Sequence, residues 1–199
     1  MMKLLKNSQG FSLMELMIAM AIFSVIIAVM ITSRTDQQDQ HITQIQAAEM
    51  QQNVRAVMFM MKRDIRMAGF NPFSKDDYDT GIIVAQSNTF AFGYVDISDP
   101  DNPFADTHTY TLEDDDGDGD MDITLEAVVL AENIQALTFN YFDGTAPIPI
   151  ELPAPVATPA NIRSIQISIT ASLDNDERAR ISGDNRQLST LVLLRNMGL

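Results

Sequence analysis

The chain has no cysteine and no tryptophan, only two histidines, and 13 basic residues against 27 acidic ones. Without cysteine there is no disulfide, no thiol nucleophile and no thiolate-held zinc, so packing or a hard cation must stiffen the fold. A formal net charge of −14 repels a phosphate backbone, which argues against nucleic-acid binding. Glycine and proline are also missing between Phe11 and Ala68, so nothing there interrupts a helix of about 87 Å at 1.5 Å per residue. Gly69 and Pro72 supply the stop. An apolar content of 46% over 199 residues allows one modest core beside an additional segment.

That segment opens the helix. Residues 16–31, "LMIAMAIFSVIIAVMI", are apolar except for Ser24, and the run from Phe11 measures about 31 Å as a helix, enough to cross a bilayer. Lys3 and Lys6 precede it and Asp36 and Asp39 follow, so the charge bias puts the N-terminus in the cytoplasm and exports the rest, with Arg34 weakening the contrast. A secretory signal peptide fits poorly, because its Ala19-Met20-Ala21 cleavage pattern would lie inside the apolar run. A plain uncleaved anchor leaves Glu15 unexplained: a carboxylate in a bilayer costs about 2.5 to 3.5 kcal/mol at mid-helix, less near an end, and normally marks a partner.

The stretch "KNSQGFSLMELMIAMAIFSVI" resembles the class III leader and first helix of type IV pilins and pseudopilins. The resemblance implies that prepilin peptidase cuts after Gly10 and that Phe11, the new terminus, is N-methylated. It also implies that Glu15 meets the terminal amine of a neighbouring subunit, so the carboxylate gains a charged partner only on assembly. Four regions follow: residues 1–10 as leader, 11–33 as the membrane and filament-core part of the helix, 34–70 as its exported continuation, and 71–199 as a globular β-domain.

Beyond the membrane the helix is mostly polar over 32–53, and then Val54, Met58, Met61, Ile65 and Ala68 recur at helical spacing. This stripe is expected to pack under the chain's own sheet rather than against a partner helix. Arg55, Lys62 and Arg66 lie on another face. They are either a solvated face that complements the helix dipole or a docking surface for an acidic patch on a neighbouring subunit.

After Pro72 the period changes to two. "GIIVAQ" and "TFAFGYV" form a hairpin about Ser87-Asn88; Tyr110, Leu112, Met121, Ile123 and Leu125 face inward around an acidic loop. Leu137, Phe139 and Tyr141 alternate in one strand and Ile165, Ile167 and Ile169 in another. Leu191 to Leu194 is apolar on both faces, which predicts an interior strand. The fold class is therefore α+β, a pilin-like long helix packed at its C-terminal half against an antiparallel sheet. Five prolines in 143–161 predict an extended surface loop, and 173–187 is a charged loop.

The resemblance continues in "QNVRAVMFMMKRDIRMAGFNPF", "LAENIQALTFNYFDG" and "LSTLVLLRNMGL", which look like PilW-family minor pilins and, more distantly, the J-type pseudopilin of type II secretion. It implies a low-abundance subunit that initiates, assembles or caps a filament. The implied partners are other pilins, the prepilin peptidase and an inner-membrane assembly platform. The implied location is a single-pass inner-membrane protein with a periplasmic domain, later part of the pilus. In "EDDDGDGDMDITLE", Asp114, Asp116 and Asp118 precede Gly119, and Asp120 and Asp122 follow, matching the first half of a calcium loop. The twelfth position is Leu125 and Glu126 falls one residue late, so Ca2+ in loop 114–122 competes with a solvated hairpin tip.

No catalytic constellation is found: His41 lies on the polar helix, His108 is in phase with Tyr110 and Leu112 as a sheet-facing imidazole, and no nucleophile elbow or phosphate loop occurs. A structural subunit is the expected function. Its alternatives are the secretion pseudopilin and, in another class, a membrane-anchored periplasmic calcium-binding protein that never assembles.

Overall fold

The computed structural model describes residues 11–73, 80–98, 104–115, 117, 119–144, 149–172 and 185–197. Helix α1 runs unbroken over Leu13–Ile65, as the absence of glycine and proline predicts. It stops three residues before the expected Ala68. There the backbone tightens into a turn: Met67, Ala68 and Phe70 donate to carbonyls three residues back, at Asp64, Ile65 and Met67. Gly69 follows at φ +75, a left-handed conformation that favours glycine, and its N–H donates to Gly93 at 3.0 Å. A side chain at Gly69 would also meet Asn196 O at 3.1 Å, so the helix end and the C-terminal segment can approach only because glycine is there.

The chain divides into two compact units, Met1–Gln44 and Ile45–Leu199. The described part of the first is helix from Leu13 onward, and its large apolar residues from Phe11 to Ile31 are 40% to 90% exposed.

In the second unit the part of α1 from Val54 onward carries a buried stripe. Val54, Met58, Met61, Ile65 and Ala68 are all buried in the core, together with Val57, which widens the stripe by one position. They pack with the chain's own strands, as expected. Those strands divide into two antiparallel sheets rather than one. The first is a meander of β1 Gly81–Ala85, β2 Thr89–Asp96, β3 Phe104–Glu113, β4 Asp122–Leu125 and β5 Val128–Ala131, in that spatial order. The second has the order β7-β6-β8-β9, from β6 Ile134–Phe142, β7 Glu151–Leu152, β8 Ser164–Ala171 and β9 Arg186–Leu193.

The α+β class stands, and the division has a visible joint: Tyr141 donates its hydroxyl to Gln86 O at 2.6 Å, and Phe139 N–H donates to Ser87 O at 2.8 Å. Phe90 lies 5.6 Å from Phe139 and 6.1 Å from Tyr141, ring centroid to centroid. The alternating residues meet in register, with Leu137 opposite Ile169, Phe139 opposite Ile167 and Tyr141 opposite Ile165. Among its described residues the proline-rich loop contributes the two-residue strand β7, at a sheet edge where missing donors are tolerated, and a 3-10 turn over Pro159–Asn161.

One expectation is corrected. The apolar run 191–194 does not form an interior strand; β9 ends the strand order of the second sheet. Val192 and Leu194 point into the core, whereas Leu191 and Leu193 are 53% and 63% exposed. Alternation had set only one face inward, and the outward leucines mimicked the pattern of a strand covered on both sides.

Candidate functional site

The start of α1 is a capping box. Ser12 is the residue before the first helical turn, and its hydroxyl accepts from Met14 N–H at 3.4 Å; Glu15 reaches back so that its Oε2 accepts from Ser12 N–H at 3.2 Å. Glu15 also sits at the positive end of the helix dipole. The sequence "SLME" has the S-x-x-E spacing of this motif, so the cap is written in the sequence itself. Glu15 therefore has a partner within its own chain. Further along, Ser24 donates to Ala21 O at 2.7 Å and Thr32 to Val29 O at 2.9 Å, so these hydroxyls satisfy themselves on the helix and suit a hydrocarbon environment. Phe11 is open at the described N-terminal end, and Gly10 lies outside the described residues.

The three basic residues line two different grooves. Lys62 and Arg66 line a groove of about 560 Å³ with Arg63 and Arg195, beside Phe59 and Phe70. Arg55 instead lines a separate pocket with Arg186 and Leu188. Spacings of seven and four along a helix place residues on broadly one side, but only the returning C-terminal segment decides which of them share a cavity. Arg195 was not legible as a partner for that reason.

Of the acidic loop, Asp116 and Asp118 lie outside the described residues. The hairpin closes with Glu113 opposite Asp122. Asp122 is buried and accepts from Asp115 N–H at 3.4 Å, and Asp114 Oδ1 accepts from Gly117 N–H at 2.8 Å. These two proposed ligands thus shape the turn through backbone contacts. Among the described residues no group of three or more potential metal-ligating side chains is gathered.

A further polar cluster was missed altogether. Asp64, on the last turn of α1, is buried; its Oδ2 accepts from the Tyr110 hydroxyl at 2.9 Å and its Oδ1 from Arg63 Nε at 3.0 Å. His108 faces it from β3, with Nδ1 4.0 Å from Asp64 Oδ2. Tyr94 donates to Asp106 at 3.1 Å, so its oxygen can only accept from His108 Nε2 at 3.2 Å, which puts a ring proton on that nitrogen. Burial, then the adjacent Asp64 charge, pushes the Tyr110 phenol far above its ordinary value. Burial, then the bond to Asp106, does the same to Tyr94. The cluster fastens the helix end to the first sheet, and nothing in the sequence spacing joins Asp64 to Tyr110.

Residues 5–31 match the family model of the prokaryotic N-terminal methylation motif, the signal of type IV pilin-like prepilins. No curated protein and no solved structure matches the chain. The match overlaps the start of the one helix, among the described residues, that is long and apolar enough to cross a membrane. The match covers 27 of the 199 residues and marks a pilin-type prepilin signal on a membrane-anchoring N-terminal helix.

Proposed function

We propose that the chain is a minor pilin, a structural subunit that takes part in starting, assembling or capping a type IV pilus. The observation that supports this most is the methylation motif at the start of a helix whose residues 13–31 are exposed and carry no charge except Glu15. In this reading prepilin peptidase cuts after Gly10, Phe11 becomes the methylated terminus, and the helix waits in the inner membrane with the domain from Ile45 in the periplasm. Glu15 is held by its own cap in the single chain. On assembly it exchanges that neutral donor for the amine of a neighbouring subunit, a stronger, charge-assisted contact. A minor pilin is favoured over the secretion pseudopilin by the likeness of residues 52–73 and 130–144 to PilW-type subunits.

The test is the mass of the N-terminal peptide of chain recovered from cells making pili. A peptide starting at Phe11 and carrying one methyl group is expected; one retaining the residues before Gly10 would overturn the reading. Calcium is proposed for loop 114–122 on its D-x-D-x-D-G spacing. Titration of the full chain should then release or absorb heat and raise the melting temperature. A silent titration removes the ion and leaves the pilin reading intact.

A further inference from the structure

His108 is held between two carboxylates. Its Nδ1 is buried, has no hydrogen-bond partner among the described residues, and faces Asp64 Oδ2 at 4.0 Å. Its Nε2 lies 3.2 Å from the Tyr94 hydroxyl and 4.0 Å from Asp106 Oδ2. Because the ring proton sits on Nε2, Nδ1 turns a bare lone pair towards a carboxylate oxygen. Two acceptors therefore oppose each other across a gap that one proton would bridge. Asp64 Oδ2 already accepts from Tyr110 at 2.9 Å and keeps a second lone pair for another donor.

The charged and titratable groups around the ring come from every element packed on it. On α1 they are Asp64 and Arg63; on β2, Tyr94 with Asp96 beyond it; on β3, Asp106 and Tyr110, with Glu126 of the β4–β5 turn acting on Tyr110. Both phenols stay protonated, because burial first and the neighbouring carboxylates second push them far up. Arg63 engages the other oxygen of Asp64 at 3.0 Å, but its side chain is 69% exposed and water screens its opposition to a cation on the ring. Asp64 is buried, so its attraction for such a cation is screened far less. We propose that this cluster is a proton-operated latch: a proton taken up at Nδ1 makes His108 a charged donor to Asp64 Oδ2 and binds the end of α1 more tightly to β3. Closing the gap needs a shift of about 1 Å, within reach of a side-chain rotation. The charged contact exists in the folded chain alone. It therefore stabilises fully below the unfolded imidazole's value of about 6.5 and is lost as the pH rises. The latch does not rest on the pilus reading; on that reading it makes the grip of the sheet on α1 follow the acidity of the periplasm.

The chain has only two histidines, so a full-length His41→Gln chain leaves His108 alone to report. Unfolded by urea in detergent with EDTA at about pH 5.5 and about pH 7.5, it should show an unfolding constant about ten-fold smaller at the lower pH. Adding His108→Gln should remove that difference. Asp64→Asn, which keeps an acceptor for Tyr110, should remove it too, whereas Asp106→Asn should leave it. No difference in the His41→Gln chain, a difference of opposite sign, or one that survives Asp64→Asn overturns the proposal. Imidazole nitrogen NMR of the His41→Gln chain gives a second readout that needs no change in the cluster. Nδ1 should be bare at the higher pH and carry a proton shielded from solvent exchange at the lower one. An Nδ1 still bare there, or one whose proton exchanges freely with water, also overturns the latch.

Discussion

Glu15 and Asp64 stand near opposite ends of the same helix, each a carboxylate in largely apolar company, and they are satisfied by different means. Glu15 accepts a hydrogen bond from a backbone N–H three residues away, in a part of the helix whose apolar side chains have no cover in the single chain. Asp64 accepts from a tyrosine 46 residues away and is buried. Local geometry holds the first and tertiary packing the second. The difference carries function: a locally capped acid can change partner without unfolding anything, whereas a tertiary one ties helix to sheet and must stay. The apolar residues around them divide in the same way. Those of residues 13–31 await a bilayer or other subunits, and those from Val54 to Ala68 are already spent on the core.

Paired substitutions sharpen the contrast. The largest effect is expected at the core stripe: Met61→Ala should cost about 2 to 5 kcal/mol in denaturant unfolding of the domain, because Met61 is fully buried. Met20→Ala, on the same helix but 65% exposed, should leave that transition unmoved; equal losses would erase the distinction between the two regions.

Next, Asp64→Ala strands the Tyr110 hydroxyl and should destabilise the domain by about 1 to 3 kcal/mol by the same measurement. Tyr110 also makes stability depend on alkali. Its folded pKa is raised above the ordinary 10.0, so the folded state holds the proton longer, and this contribution is whole below pH 10.0 and is lost as pH rises above it. Tyr94 and Tyr141 act in the same direction. A denaturation series above pH 10.0 should therefore fall less steeply in Tyr110→Phe than in the parent chain.

Gly69→Ala should cost about 1 kcal/mol or more through its positive φ and its contact with Asn196, read as a lower melting temperature. The smallest effect belongs to the cap. Ser12→Ala should raise amide exchange at Leu13 to Leu16 in micelles, a loss of about 1 kcal/mol in the first turn, with the domain transition unchanged.

What the sequence by itself determined is everything with a short period or a short span. The uninterrupted helix follows from fifty-odd residues without a breaker, the buried stripe from its three-and-four spacing, the hairpins from alternation and turn residues, and the anchor and methylation motif from one contiguous run. Each is decided by neighbours a turn or a strand apart, so each is written locally. Only the tertiary structure decided that the strands part into two sheets, that β9 is an edge, that Arg195 rather than Arg55 joins Lys62 and Arg66, and that Asp64 finds Tyr110. Those outcomes depend on which distant segments fold back against one another. Periodicity orients a side chain towards the core or away from it, and it carries no information about what comes to meet it there.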